Sequence, residues 1–360
     1  MSKRLLLVGA GHAHLEVLRR FKESMLRNVD VCMISPSSYQ FYSGMFSGFT
    51  EGIYSEEDTR IDLVQLSKKS GVHFIQKKAA LVKADRKKVV CEDGTVYPFD
   101  VVSFDIGSRS LPVEYEDTVA HTIKPNYRFI DKIKSLRETT KPLIVGGGAA
   151  GTELALSIQA YKEKHKIPGQ VRLITSERVL SSAPAWTSAR LRNLLNKKGV
   201  RVWEGERVEE IYDQFVQTEK NNRVRHTGVL WLGGAISDDI FKRSLIETDD
   251  RGFALVRPTL QFKSFDYIFG AGDCVTMEDY PQIAKSGVYA VRQGPVLWEN
   301  LMNFLEGKSL QSYVPQKHAL YILSTGGRKG FLVYKAVSAH NHKAWQLKNK
   351  IDTDFMDKYQ

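Results

Sequence analysis

At 360 residues, with 42% hydrophobic and 26% charged side chains, the chain has the composition of an ordinary globular protein with room for two or three packed domains. That excludes a disordered or collagen-like chain. No run approaches the ~20 consecutive apolar residues that span a bilayer, and Met1-Ser-Lys-Arg-Leu passes from two charges straight into a short strand, so a cytoplasmic protein without a signal peptide is expected. The formal charge of +11 is spread along the chain, as in Lys68-Lys69, Arg86-Lys87-Lys88 and Lys197-Lys198. It lacks the compact basic and aromatic module that nucleic acid requires, and no nucleic acid partner is expected.

In chain order, the apolar run Arg4-Leu-Leu-Leu-Val8 ends in Gly9-Ala10-Gly11, and Leu15 to Phe21 has helical apolar spacing. The strand Val29 to Ile34 follows and stops at Ser35-Pro36, which completes a βαβ unit of about 30 residues. Lys88 to Cys91 and Val96-Tyr97 flank Glu92-Asp93-Gly94-Thr95, a hairpin signal. Val101 to Phe104 then runs into Asp105-Ile-Gly107-Ser108. The first grammar recurs as Pro142 to Val145, Gly146-Gly-Gly-Ala-Ala-Gly151, a helix from Thr152 through Tyr161, and the strand Val171 to Ile174. Val229 to Leu232 runs into Gly233-Gly-Ala235, echoing the layout at Gly107, and glycine-bearing strand ends are where a doubly wound sheet offers backbone to ligands. Tyr321 to Gly326 and Gly330 to Tyr334 read as a hairpin, followed by a Lys-rich helix with Leu347, Ile351, Phe355 and Tyr359 in one stripe.

Gly146, Gly148 and Gly151 complete a G-x-G-x-x-G between strand and helix: one glycine for the turn, one for close approach of a pyrophosphate, one for helix packing. Ala149 and Ala150 at the helix start, and Glu153 a turn further on, are counted with this nicotinamide-nucleotide site. The following strand ends without an acid to hold the ribose. Thr175, Glu177 and Arg178 are the candidates there, and the choice between NADH and NADPH stays open. In the first unit Gly9 and Gly11 are present, but His14 stands where close packing prefers glycine, so the helix must sit farther from the strand or turn His14 outward. His12 and His14 are either polar neighbours of a cofactor or surface and capping residues, and Ser35 replaces the ribose acid. In Gly270-Ala-Gly-Asp273, Asp273 is either an acceptor for a sugar hydroxyl or a helix N-cap. Cys32, Cys91 and Cys274 form neither a dithiol pair nor a metal-ligand spacing, and no metal is expected.

These three motifs, in this order, resemble the two-dinucleotide flavoproteins of the pyridine nucleotide-disulfide reductase superfamily, and within it the type II NADH dehydrogenases and sulfide:quinone reductases. Gly11-His-Ala-His14, Tyr42-Ser-Gly-Met45, Gly287 through Pro295, and Trp345-Gln-Leu-Lys348 through Phe355-Met356 also look like marks of the flavoprotein domain sometimes fused to selenide, water dikinase. The resemblance implies an α/β fold of two Rossmann-like domains. An FAD domain over 1–115 and 250–310 would be interrupted by an NAD(P)H domain over 116–249, with a small α+β region at 311–360. It implies FAD at Gly9, Gly11, His12, Ala13, Ser35, Pro36 and Ser43, with Val82 near the adenine, Asp273 on the ribityl chain or phosphate, and Lys285 opening a helix aimed at the flavin. The aromatics of Tyr39 to Met45 would either stack there or fill core. The cysteines depart from the redox positions of disulfide and sulfide oxidising relatives.

The expected activity is therefore NAD(P)H oxidation through flavin to an acceptor, a quinone in the first instance. A flavin reductase of selenium or sulfur metabolism and a non-turnover redox sensor are the alternatives. The C-terminal stripe would dock on the inner face of the cell membrane, pack on its own domain, or join a homodimer.

Overall fold

The computed structural model describes residues 2–23, 28–110, 120–316 and 319–359. The expected domain boundary at 115/116 lies outside the described residues.

Two parallel-centred sheets carry the molecule, as the repeated strand, glycine turn and helix grammar requires. In the eight-stranded sheet, Lys3–Val8 is an interior strand, paired in parallel with Val29–Ser35 on one side and Val101–Phe104 on the other. Val29–Ser35 leads to the edge strand His73–Gln76. On the far side, Phe265–Gly270 pairs in parallel with Val101–Phe104, placing Ile268 beside Val102 and Gly270 beside Phe104. Gln261–Phe262, Ala254–Val256 and Val275–Met277 complete this sheet. Chain from beyond residue 250 is thus built into the sheet that residue 3 begins. Leu5, Leu7, Val102, Phe104, Ile268 and Phe269 are fully buried, which accounts for the continuous apolar runs of strands covered on both faces.

The intervening chain forms a five-stranded, all-parallel sheet in the order Ala120–Thr122, Gly228–Trp231, Pro142–Val145, Arg172–Thr175, Arg201–Glu204. A three-stranded antiparallel sheet, Val208–Ile211, Phe215–Thr218 and Arg223–Arg225, is attached to it. The expected hairpin around Asp93-Gly94 forms, with Gly94 at φ +81° in the left-handed region that the turn demands. The two nucleotide-type helices run over His12–Glu23 and Ala149–His165, each starting earlier than the apolar periodicity indicated because glycine and histidine occupy their first turns.

The C-terminal region differs from its sequence reading in two ways. A third strand, Val337–Asn341, joins Tyr321–Ser324 and Gly330–Tyr334, so the hairpin is an antiparallel meander. The helix His342–Asp357 is capped by the Asn341 carboxamide, which accepts from the Ala344 N–H at 2.8 Å. It does not bury the Leu347, Ile351, Phe355, Tyr359 stripe as a unit: Phe355 and Tyr359 are buried, whereas Leu347 and Ile351 are 42% and 45% exposed. Its inward face is Ala344, Lys348, Asp352, Phe355, Met356 and Tyr359, a stripe interrupted by two charges that apolar periodicity could not register. Phe355, Met356 and Tyr359 belong to the core under the eight-stranded sheet, while Leu323, Phe331 and Val333 of the meander belong to the core of the five-stranded one. The C-terminal region therefore ties the two cores together. No helix among the described residues is long and apolar enough to cross a membrane.

The orientation of this helix has a measurable consequence. Met356→Ala should lower unfolding free energy by about 2–5 kcal/mol, and Leu347→Ala should change it by no more than about 0.5 kcal/mol, as read by urea unfolding.

Candidate active site

The first glycine turn is organised around a residue outside the expected set. Asp105, at the end of Val101–Phe104, is 2% exposed. Its Oδ2 accepts the N–H groups of Ala13 at 2.8 Å and His14 at 3.1 Å, and its main-chain carbonyl accepts that of Gly11 at 3.0 Å. The carboxyl group thus caps the helix His12–Glu23 from the neighbouring strand, a role usually taken by a residue preceding the helix. A Cβ at Gly11 would lie 2.1 Å from Asp105 Oδ1, one at Gly272 2.4 Å from the same atom, and one at Gly9 2.3 Å from the Asp105 carbonyl oxygen. Burial pushes the Asp105 carboxyl up to about 7, opposed by the two amides and assisted by Asp273. Sequence reading missed Asp105, although a carboxylate directly after an apolar strand is the same signal that singled out Asp273.

His14 is neither turned outward nor at the surface: it is fully buried. Its Nδ1 lies 2.7 Å from the Gly9 carbonyl and its Nε2 2.8 Å from Ser103 Oγ. A carbonyl only accepts, so Nδ1 carries the proton and Nε2 accepts from the Ser103 hydroxyl. Burial holds its pKa down to about 4, against the Gly9 carbonyl, so the ring is neutral. It thereby replaces the packing glycine with a pair of hydrogen bonds between turn and sheet. His12 is also buried, its pKa lowered to about 4 by burial against the pull of Asp273. Its ring meets Tyr42 edge-on at 5.6 Å and Phe355 at 5.5 Å, and Tyr42 stacks on Phe355 at 4.1 Å with 17° between planes.

Asp273 is not a helix cap. It lies in the short turn Gly272–Cys274 and pairs with Lys124, whose ammonium also reaches Ser108. Lys285 lines the same cleft as Asp273, Tyr280 and Tyr289, but its ammonium donates to the Val275 carbonyl and, at 2.9 Å, to Thr276 Oγ1, and lies 4.2 Å from the centre of the Phe253 ring. Burial brings it down to about 8. The following helix, Gly287–Glu306, opens with its first glycine close to the His12 ring. Ser35 is buried at its strand end, while Pro36 and Ser43 are exposed. Gly107, at φ +72°, faces open space. Val82 is buried, and its N–H donates to Ser244 Oγ at 2.8 Å, so that donor is engaged within the protein.

In the second turn the three motif glycines separate by cause. A Cβ at Gly151 would meet the Gly146 carbonyl oxygen at 1.9 Å, and one at Gly146, at φ +117°, the Leu232 carbonyl at 2.9 Å. A Cβ at Gly148 meets nothing within 4 Å. No protein atom requires glycine at 148, and the space in front of it fits a pyrophosphate on the N-terminus of Ala149–His165, where Ala149 and Ala150 form the first turn. Thr175 is buried behind Gly147, and Arg178 folds back on the Ser181 and Ala183 carbonyls, both at 3.1 Å. A Cβ at Gly233 would press on the Trp231 indole at 2.8 Å.

Glu153 turns away from this turn. Its Oε1 accepts the Ser324 N–H at 2.7 Å and lies 3.8 Å from the Lys348 ammonium. Lys348 pairs with Asp352 at 2.7 Å and donates to the Gly44 carbonyl, while the Tyr42 hydroxyl donates to Asp352 at 3.1 Å. Burial opposes the charge on Lys348, but Glu153 and Asp352 outweigh it and raise its pKa. Burial and Asp352 push the Tyr42 phenol well above its ordinary range. Tyr42 stacks on Phe355 and packs against the core, which is the core-filling reading of the loop aromatics.

None of the three cysteines is disulfide-bonded. Burial pushes the Cys274 thiol up to about 12, and it donates to the Ala271 carbonyl; burial also raises Cys32 and Cys91. High thiol pKa values remove the thiolate on which disulfide exchange depends.

Two glycine turns at the carboxyl ends of parallel strands in two sheets, with an acid-bearing strand returning to the first, define a two-nucleotide oxidoreductase of the flavoprotein class. The chain belongs to the pyridine nucleotide-disulphide oxidoreductase family, whose model matches residues 3–294. It is a flavin-dependent pyridine nucleotide oxidoreductase, with FAD and NADH or NADPH as cofactors. Among curated proteins it is similar to ferroptosis suppressor protein 1 of Taeniopygia guttata, 28% identical over 276 residues that cover 72% of this chain and 71% of that one. Among solved structures it resembles the sulfide:quinone oxidoreductase of Aquifex aeolicus, with a TM-score of 0.82 and 16% identity, covering 99% and 92% of the two chains. It also resembles NDH2 of Plasmodium falciparum in complex with NADH, with a TM-score of 0.81 and 13% identity, covering 99% and 98%.

The contrast between the glycines of the second turn is testable. Gly148→Ala, at an ordinary φ of −69°, should leave the melting temperature unchanged while raising the Kd for NAD(P)H by roughly tenfold, a loss of ~1.4 kcal/mol. Gly151→Ala should instead destabilise the fold by at least roughly 1–3 kcal/mol through overpacking. Calorimetry and nucleotide titration on the two variants separate these effects.

Proposed function

We propose that this protein transfers electrons from NADH or NADPH to a quinone, with the balance NAD(P)H + H⁺ + quinone → NAD(P)⁺ + quinol. FAD, when bound, supplies the two-electron chemistry between nicotinamide and acceptor. The observation that carries the reading is the buried join of Tyr42, Phe355 and His12 with the Asp352, Lys348 and Glu153 cluster. Flat aromatic faces suit a planar, uncharged acceptor ring. The Tyr42 hydroxyl, Asp352 and Lys348 form a hydrogen-bonded chain that would relay a proton to a reduced quinone oxygen, the phenol being reprotonated as it gives its own. The high thiol pKa values favour an acceptor that needs no cysteine, and the similarity to a sulfide:quinone oxidoreductase supports a quinone in particular.

On this reading FAD lies over residues 1–115 and 250–310, with Gly9, Gly11, His12 and Ala13 at its pyrophosphate, Ser35, Pro36 and Ser43 along its length, and Gly107 and Asp273 towards the ribityl chain. The backbone opening the helix after Lys285 faces the ring. The nicotinamide nucleotide lies over 116–249, on Gly146, Gly148, Ala149, Ala150 and Gly233, with Thr175 near its ribose and the Arg178 guanidinium needing to leave the Ser181 and Ala183 carbonyls to reach it. The exposed Leu347 and Ile351 of the C-terminal helix would meet the inner face of the cell membrane, where a lipid-soluble quinone resides. The likeness of Gly11-His-Ala-His14 and its companion segments to the flavoprotein domain fused to selenide, water dikinase keeps a selenium or sulfur acceptor as the competing substrate class.

Anaerobic stopped-flow on the FAD-loaded protein tests the proposal. Bleaching by NADH or NADPH followed by rapid reoxidation with a short-chain quinone is the expected result. Slow bleaching with a persistent charge-transfer band points to a sensor, and turnover with selenium compounds but not quinones overturns the quinone assignment. Asp352→Asn should slow reoxidation by quinone at least about tenfold and leave bleaching by nicotinamide unaffected.

A further inference from the structure

The Asp105 carboxyl sits at the helix start on which the proposed function places the flavin pyrophosphate. It is buried between three glycines, Gly9, Gly11 and Gly272, and takes two of the first three N–H groups of the helix His12–Glu23. Only the His12 N–H remains unclaimed by the carboxyl at that helix start. The N-terminus of a helix carries a partial positive charge of about half an elementary unit, too little to balance an ionised carboxylate and a pyrophosphate together. Among the described residues the nearby cations are engaged elsewhere: the Lys124 ammonium is paired with Asp273 and Ser108, and Lys285 is turned to Val275 and Thr276. The remaining groups around Asp105 add no positive charge. His12 and His14, on the helix, are buried and neutral, and on the Gly272–Cys274 turn Asp273 is a carboxylate and Cys274 a buried thiol.

We propose that Asp105 is the positioning residue of the flavin nucleotide, locking the glycine turn to the helix start and taking up one proton when the FAD pyrophosphate is seated there. This rests on the flavoprotein reading and deepens it. The protonated acid keeps both N–H bonds through Oδ2, and its charge no longer opposes the phosphates. In the free protein burial has already brought the group close to neutrality, so the proton is available near physiological pH. Seating the pyrophosphate raises the pKa further. At a pH between the free and bound values FAD binding therefore consumes a proton, and affinity falls as pH rises.

The experiment is calorimetric titration of the FAD-free protein with FAD at pH 6 and pH 8, each in two buffers of different ionisation enthalpy. For the wild type we expect uptake of about one proton per FAD at pH 8 and much less at pH 6, with affinity falling about tenfold per pH unit above the free pKa. Asp105→Asn, a neutral isostere that retains an acceptor for the two amides, should bind FAD with affinity nearly independent of pH and without that proton. Asp105→Ala, lacking the acceptor, should bind weakly at every pH. Equal proton uptake in wild type and Asp105→Asn, or none in wild type at pH 8, overturns the proposal while leaving the flavoprotein reading intact. If the variants do not fold, absence of proton uptake by the wild type at pH 8 still overturns the proposal. Failure of the wild type to bind FAD at any pH overturns both.

Discussion

The carboxyl group of Asp105 is the point from which the first nucleotide site is built. Three stretches far apart in the chain converge on it: the glycine turn at 9–11, its own strand end, and the turn at Gly272. Each approaches so closely that a single methyl group would collide with the carboxyl or the adjoining carbonyl. A polar atom buried this deeply needs hydrogen-bond partners, and the Ala13 and His14 amides supply them to Oδ2. His14 then closes the same turn from the other side by bridging the Gly9 carbonyl and the Ser103 hydroxyl. The helix start, the sheet and the returning strand are thereby held in one arrangement before any cofactor is considered.

A second constraint sits where the C-terminal helix meets both domains. Lys348 is buried, and a lone ammonium there would be strongly destabilising; two carboxylates, Asp352 and Glu153, and the Gly44 carbonyl make it tolerable. These partners come from the C-terminal helix, from the first turns of the nicotinamide-type helix and from the loop that carries Tyr42. The cluster therefore sets the helix relative to both cores, and the aromatic contact between Tyr42 and Phe355 follows from that setting. The link between fold and chemistry runs through this join, since the groups that orient the helix are the same ones that bring a phenol and an ion pair to the candidate acceptor position.

The glycine motifs show how a correct signal can have more than one cause. Gly9 and Gly11 mark a nucleotide-type turn, yet the atoms that forbid a side chain at both positions belong to Asp105. Gly148 is the opposite case, because nothing in the protein fills the space before it. Glu153 lies one turn from the second motif and faces away from it, towards Ser324 and Lys348. Lys285 spends its ammonium on the Val275 carbonyl and Thr276 hydroxyl, and Arg178 on the carbonyls of its own loop. Position along the chain located each of these residues near a site, but the partner that took each polar group was set by the folded structure, locally for Arg178 and Lys285 and from the far C-terminal region for Glu153.

What the sequence determined by itself was local and periodic: two strand, glycine turn and helix units, the Asp-Gly hairpin, the apolar strands of covered sheets, and a carboxylate at the return of the chain near residue 273. Those features depend on backbone freedom at glycine and on burial patterns that repeat within a few residues, so they are written in short windows. Only the tertiary structure decided the cap from Asp105, the inward turn of His14, the split of the C-terminal stripe and the ion cluster at Lys348. The cap, the His14 bridge to Ser103 and the Glu153–Lys348 contact pair polar groups across tens to hundreds of residues, and the split of the stripe follows from which face of the helix the two cores cover; neither leaves a period in the sequence.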